Sequence, residues 1–125
     1  FNKLSMEFLL GQVFRVFAFM IGIDWNETVL VGSLLGQKFV LNEFIAYVNL
    51  AEMKTAGLLS EKSILISTYA LCGFANFSSI AIQIGGIGSM AQSRQKDISK
   101  LGLRALLAAT LATLLTGNIA GFIIA

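Results

Sequence analysis

Ala70-Leu71-Cys72-Gly73-Phe74-Ala75-Asn76-Phe77-Ser78-Ser79 lies midway along an uncharged run from Ser63 to Ser93 and is the most polar part of that run's centre. A segment that crosses hydrocarbon keeps its middle apolar, because an unpaired amide or hydroxyl there costs about 2–7 kcal/mol on transfer scales. Gly73, Asn76, Ser78 and Ser79 crowd together where that cost is highest. As one continuous helix the run would extend roughly 45 Å, well beyond a hydrocarbon core of ~30 Å. The spacing therefore predicts a broken transmembrane helix over residues 62–92, bent or unwound at the Gly73–Ser79 cluster. The chain has no proline, so its breaks must rest on glycine and polar residues.

Composition places that run in a membrane protein. Of 125 residues, 56% are hydrophobic and 13% charged, with a mean hydropathy of +0.79. Soluble domains carry roughly 45–50% apolar and about 25% charged residues. The absence of histidine excludes His-based metal sites and Ser-His or Cys-His catalytic pairs within the chain. Cys72 is the single cysteine, forms no internal disulfide or CxxC site, and is expected to be a small apolar packing residue. A net charge of +2, without basic residues interleaved with aromatics, does not suggest nucleic-acid binding. The chain starts at Phe1 without a signal-peptide pattern and is expected to be the C-terminal part of a longer protein.

Outward from the break, the N-terminal stretch 4–23 is apolar but interrupted by Glu7, Gln12 and Arg15. Phe8, Leu9, Val13, Phe14, Phe17 and Met20 recur at helical intervals, and charges so near the middle favour an interfacial helix. A tilted spanning helix with Arg15 facing protein is the alternative. Asp24-Trp25-Asn26-Glu27 is a polar break in which Asn26 is the expected N-cap and Trp25 suits the headgroup level. Two half-length apolar stretches follow, separated by Gly36-Gln37-Lys38. Each covers roughly 15–18 Å, which predicts a re-entrant helical hairpin over 27–51 with that polar tip. Gly32 and Gly36 form a GxxxG pair through which the two arms could pack closely.

Beyond the run, Gly85, Gly86 and Gly88 suggest close helix packing or a helix end. Arg94-Gln95-Lys96-Asp97, with Lys100 and Arg104, is the strongly basic segment, expected as a cytoplasmic loop. Residues 101–125 then read as a full transmembrane helix running outward, with a second GxxxG pair at Gly117 and Gly121. The expected fold is an all-α membrane protein: interfacial helix, re-entrant hairpin, broken helix and full span, with an external C-terminus.

Glu43 stands out because an ionisable residue about half a bilayer from either hairpin end is by default a functional hypothesis. It suits a ligand or proton site; the plainer readings are a pair with Lys38 or a protonated acid. Asn76 and Ser79 are three apart, with Phe74 just before them. An unwound turn frees backbone groups and aims half-helix dipoles at the gap, and amide plus hydroxyl suit a neutral, hydroxyl-rich solute. Phe74 could stack on a ring. Alternatively, these polar residues only hold helices together. Gln83, one heptad after Asn76, could line the same face, and Thr110, Thr113, Thr116 and Asn118 are expected to bond to neighbouring helices. Gly85-Gly86-Ile87-Gly88 lacks the lysine and strand context of a phosphate loop.

Val40-Leu41-Asn42-Glu43-Phe44-Ile45-Ala46-Tyr47, Cys72-Gly73-Phe74-Ala75-Asn76-Phe77-Ser78-Ser79-Ile80, and Ser89-Met90-Ala91 followed by Arg94 and Asp97-Ile98 resemble the concentrative nucleoside transporters, in a bacterial NupC-like form. The resemblance runs from about Leu9 to Gly121. It implies a homotrimeric transporter of inverted repeats in the inner (cytoplasmic) membrane, this chain being the C-terminal repeat. It also implies that Glu43, Asn76 and Ser79 bind ribose hydroxyls and that Phe74 lines the pocket. Base contacts and the site for a coupling cation, Na+ or H+, would lie upstream, outside this chain.

The function expected is ion-coupled nucleoside import by alternating access, this part supplying the ribose-binding half of the site. The alternative is a membrane-embedded assembly or anchoring segment with purely structural polar residues. An enzyme is disfavoured, because Ser78 and Ser79 have no histidine to activate them and Glu43 lacks a partner carboxylate.

Overall fold

Polar side chains satisfy the free N–H groups at the starts of four helices of this apolar chain. The computed structural model describes residues 5–124 and, among these, only helices: α1 (Met6–Met20), α2 (Thr28–Val40), α3 (Glu43–Thr55), α4 (Glu61–Leu71), α5 (Phe77–Met90) and α6 (Gln95–Ile124), with a 3-10 turn, Gln92–Arg94, before α6. The expected limits at Leu4 and Ala125 fall outside the described residues. Ser5, Asn42, Ser60 and Asn76 cap α1, α3, α4 and α5, each accepting from a backbone N–H three residues on. Asn26 does not cap α2. That helix starts after Glu27, whose carboxylate instead accepts from the Ser60 amide and hydroxyl at 3.0 Å each, tying the start of α2 to the start of α4.

The GxxxG pair of α2 turns toward α1 and not toward the other hairpin arm. A Cβ on Gly32 would lie 2.6 Å from the Gly11 carbonyl oxygen, and one on Gly36 would lie 2.6 Å from Leu10 Cβ. Small residues thus let two backbones approach, but the partner is the preceding helix. Arg15 also faces protein: its Nε donates to Thr28 Oγ1 at 3.1 Å and its guanidinium lies 3.8 Å from the centre of the Trp25 ring. Gly32→Val should therefore separate α1 from α2 at an overpacking cost of about 1–3 kcal/mol. A lowered melting temperature of the detergent-purified full-length protein would show it.

The hairpin turns at Leu41-Asn42, later than the expected tip. Gly36, Gln37 and Lys38 continue α2 because their polar groups are satisfied inside the protein. Gln37 Oε1 accepts from Asn49 on the opposite arm, and the Lys38 ammonium donates to the Ala70 carbonyl and Thr113 Oγ1, each at 2.9 Å. Asn42, with extended backbone, ends the turn and caps α3.

Residues 72–76 separate α4 from α5. Gly73 has φ +127, a conformation that side chains disfavour, and a Cβ there would meet the Thr113 methyl at 2.9 Å. Cys72 is exposed at this gap, not packed as expected. The helix α6 begins at Gln95, earlier than residue 101, so the basic segment forms its first turns; Arg94 and Asp97 pair there at 2.7 Å on the exposed surface. Its thirty residues extend roughly 45 Å. Together with the preceding turn it is the one helix among the described residues long and apolar enough to cross a membrane, with a mean hydropathy of 1.8 over its most apolar window.

Gly117 packs α6 against Ala70 and the Ile66 carbonyl, and Gly121 against Ile66. Asn118 Nδ2 donates to the Met20 carbonyl at the end of α1. Thr110 and Thr116 instead donate to carbonyls of their own helix, four residues back, as hydroxyls in long helices often do. The buried cluster includes Ala18, Val31, Leu34, Ala46, Leu50, Ile66, Leu71 and Leu114 and draws nothing from α5. Of the three glycines, Gly88 is buried against the Gln95 side chain two residues before α5 ends, as expected, whereas Gly85 and Gly86 sit inside α5 with nothing packed on them in this chain.

Candidate functional site

Two helix N-termini meet where the hairpin turn approaches the break. Asn42 places Glu43 in the first turn of α3, and Asn76 stands at the start of α5. Asn76 Oδ1 accepts from the Ser79 amide at 2.8 Å and from the Ser79 hydroxyl at 2.9 Å. Its Nδ2 donates to Glu43 Oε2 at 2.8 Å. Glu43, Asn76 and Ser79 are thus linked in one network, across 33 residues of sequence. Glu43 and Asn76 each stand at the positive end of a helix dipole.

The three differ in exposure in a way that separates support from reach. Asn76 is 2% exposed, whereas Glu43 and Ser79 are half-buried. Phe74 is 78% exposed and stands at the rim. A cavity of about 100 Å³ is lined by Phe74, Asn76, Ser79 and Gln83, with Leu106 and Ala109 of α6 as its floor. A wider hollow of about 560 Å³ runs along Val48, Ala51 and Thr55, is open to the surface and contains none of these residues. Glu43 is not among the residues lining the smaller cavity, and the Ser79 hydroxyl, which donates its proton to Asn76 Oδ1, is left as an acceptor. Among the described residues no group of His, Cys, Asp and Glu could hold a metal ion.

Lys38 is not the partner of Glu43. It is buried against the C-terminal end of α4 and against α6, through the bonds to Ala70 and Thr113. Thr113 bonds to a neighbouring helix as expected, accepting from Lys38. Two features went unread in the sequence: the role of Lys38, and the Phe39–Phe77 edge-to-face contact, 5.1 Å between centroids, that braces the end of α2 on the start of α5. A signal for Lys38 does exist. A helix that stops inside the membrane leaves up to four carbonyls without intrahelical donors, and a lysine near the hairpin tip can supply one.

Residues 1–121 match the family model of the Na+ dependent nucleoside transporter C-terminus. The chain is 52% identical over 120 residues to the uncharacterized transporter YutK of Bacillus subtilis (strain 168), covering 96% of this chain and 29% of the relative. It is 46% identical over 125 residues to the putative nucleoside permease NupX of Escherichia coli (strain K12), covering 99% and 30%. Its fold is similar to CNTnw in an inward-facing substrate-bound state, at TM-score 0.89 and 42% identity over 94% of this chain and 29% of that one. A doubly substituted variant of CNTnw in an outward-facing state matches at TM-score 0.90 and 41% identity, again over 94% and 29%. The chain thus spans about 30% of the length of these bacterial relatives, and the family is one of transporters, not enzymes. The chain belongs to the Na+-dependent nucleoside transporter family of integral membrane proteins, matching its C-terminal part.

Proposed function

We propose that this chain supplies the ribose-reading half of a nucleoside site in a cation-coupled importer. The observation that carries the proposal is the 2.8 Å bond from Asn76 Nδ2 to Glu43 Oε2, which joins the hairpin to the broken helix at two helix N-termini. Glu43 and the Ser79 hydroxyl bind the ribose hydroxyls, Asn76 holds both in place, and Phe74 covers the sugar or base from the open side. Burying an amide and half-burying a carboxylate within apolar helices is costly without such a use. The fold's likeness to CNTnw in inward-facing and outward-facing states supports alternating access as the transport mode.

In this account α1 lies in the interface, α2 and α3 form a re-entrant hairpin, α4 and α5 are a broken span, and α6 crosses the inner membrane to an external C-terminus. The basic first turns of α6 face the cytoplasm. The assembly is a homotrimer of subunits with inverted repeats, and Na+ or H+ binds outside this chain. Proteoliposomes containing the full-length protein should accumulate labelled uridine or adenosine under an inward Na+ or H+ gradient. Excess unlabelled nucleoside should abolish that uptake, and the free nucleobase should compete at least tenfold less well, because it brings no hydroxyls to the site. Lack of nucleoside uptake under either gradient would overturn the proposal.

A further inference from the structure

Both ends of the helix break are held by the hairpin, and with opposite charges. At the C-terminal end of α4, the Lys38 ammonium of α2 binds the Ala70 carbonyl at 2.9 Å, and the Tyr47 hydroxyl of α3 donates to the Thr68 carbonyl at 2.7 Å. These carbonyls belong to the last turn, which has no intrahelical donors and carries the negative end of the dipole. At the N-terminal end of α5, the Glu43 carboxylate accepts from the capping Asn76. The cation thus meets the negative helix end and the anion the positive one.

Thr113 closes the arrangement from the other side. Its hydroxyl accepts from Lys38 Nζ at 2.9 Å and donates to the Thr110 carbonyl at 3.0 Å. Its methyl lies against Gly73, the residue of positive φ in the break. Lys38 is 4% exposed, and among the described residues no carboxylate is in ion-pair contact with it. A buried lysine bound only to neutral oxygens is an expensive way to pack helices. The arrangement makes sense if the direction in which the break points is what matters.

We propose that Lys38, seated on Ala70 and Thr113, is a positioning residue that sets the orientation of the break and, through it, how strictly Asn76, Ser79 and Glu43 read ribose hydroxyls. Lys38 does not line the cavity beside Asn76 and Ser79; its hydrogen bonds go to Ala70 and Thr113. Its removal lets the last turn of α4 and residues 72–76 reorient, and the distance from Asn76 to Glu43 is no longer fixed. This inference rests on the nucleoside reading above.

The test is hydroxyl discrimination by the full-length protein in proteoliposomes, measured as the ratio of kcat/KM for uridine over 3′-deoxyuridine. A wild-type site that pairs the hydroxyl should favour uridine strongly, since the analogue leaves its polar groups unpaired. Lys38→Met, of similar length and without charge, should lower that ratio at least tenfold, chiefly through KM for uridine. Thr113→Val, which keeps the methyl contact with Gly73 but loses the acceptor, should lower it in the same direction, and Thr113→Ser should restore it. The Thr113 pair decides the matter if Lys38→Met does not reach the membrane. Variants that lose uptake of both nucleosides equally, with the ratio unchanged, would overturn the positioning role while leaving the nucleoside reading intact. A wild-type protein that takes up neither nucleoside would overturn both.

Discussion

Glu43→Gln is expected to lower nucleoside uptake by about 100-fold in the full-length protein while leaving its amount in the membrane unchanged. An ionised carboxylate only accepts, so Glu43 can hold Asn76 Nδ2 with one oxygen and take a ligand hydroxyl with the other. Glutamine can satisfy one of these partners but then presents an NH2 group to the other. Hydrogen bonds to charged groups are worth about 1.5–3 kcal/mol each. Losing one, with mispairing at the second, gives about two decades at 1.4 kcal/mol per decade. The loss should appear mainly as weaker binding. Because Glu43 is half-buried at the start of α3 and its helix keeps the Asn42 cap, stability should change little. Uptake assays normalised to surface-labelled protein would check this.

Asn76→Ala is expected to be at least as damaging, and for a different reason. The side chain makes three hydrogen bonds: to the Ser79 amide, to the Ser79 hydroxyl and to Glu43. Removing the cap costs about 1 kcal/mol in the first turn of α5. Removing the donor leaves Glu43 Oε2 without its partner at a helix N-terminus. Ser79 then loses the acceptor that fixes its hydroxyl, so both proposed ligand contacts are disordered by one substitution. Uptake should fall by about 100- to 1,000-fold, the network bonds adding roughly 2–3 kcal/mol to the lost cap. Asn76→Asp keeps the cap acceptor but puts a second carboxylate against Glu43, so it should rescue helix stability in a thermal melt without rescuing uptake.

What could be read from the residues follows a physical boundary. The position of the break was legible because length and polarity collide there: thirty-one uncharged residues outrun a bilayer, and Gly73 with Asn76 gives the place where helix is costliest to continue. The grouping of Asn76 with Ser79 was legible as well, because capping geometry joins residues three apart. The hairpin tip was misplaced, since Gly36-Gln37-Lys38 looks like a turn only while the partners of Gln37 and Lys38 are unknown. Those partners, Asn49, Ala70 and Thr113, sit as far as 75 residues away in sequence. The same limit explains Gly32 and Gly36. A GxxxG pair states that a backbone comes close but not which one, and here it is that of α1. Glu43 was identifiable as costly in an apolar context, whereas its bond to Asn76 required the fold.

The central claim is that Glu43 and Asn76 act as one unit in holding the ribose. A double-mutant cycle on nucleoside affinity tests it most directly, with equilibrium uridine binding measured by calorimetry on the full-length protein for wild type, Glu43→Gln, Asn76→Ala and the double variant. Directly bonded residues couple by about 0.5–3 kcal/mol, whereas independent sites add. The account predicts that each single variant loses most of the affinity and that the double variant binds little worse than the weaker single one. Losses that multiply, or single variants that bind uridine as tightly as wild type, would contradict it.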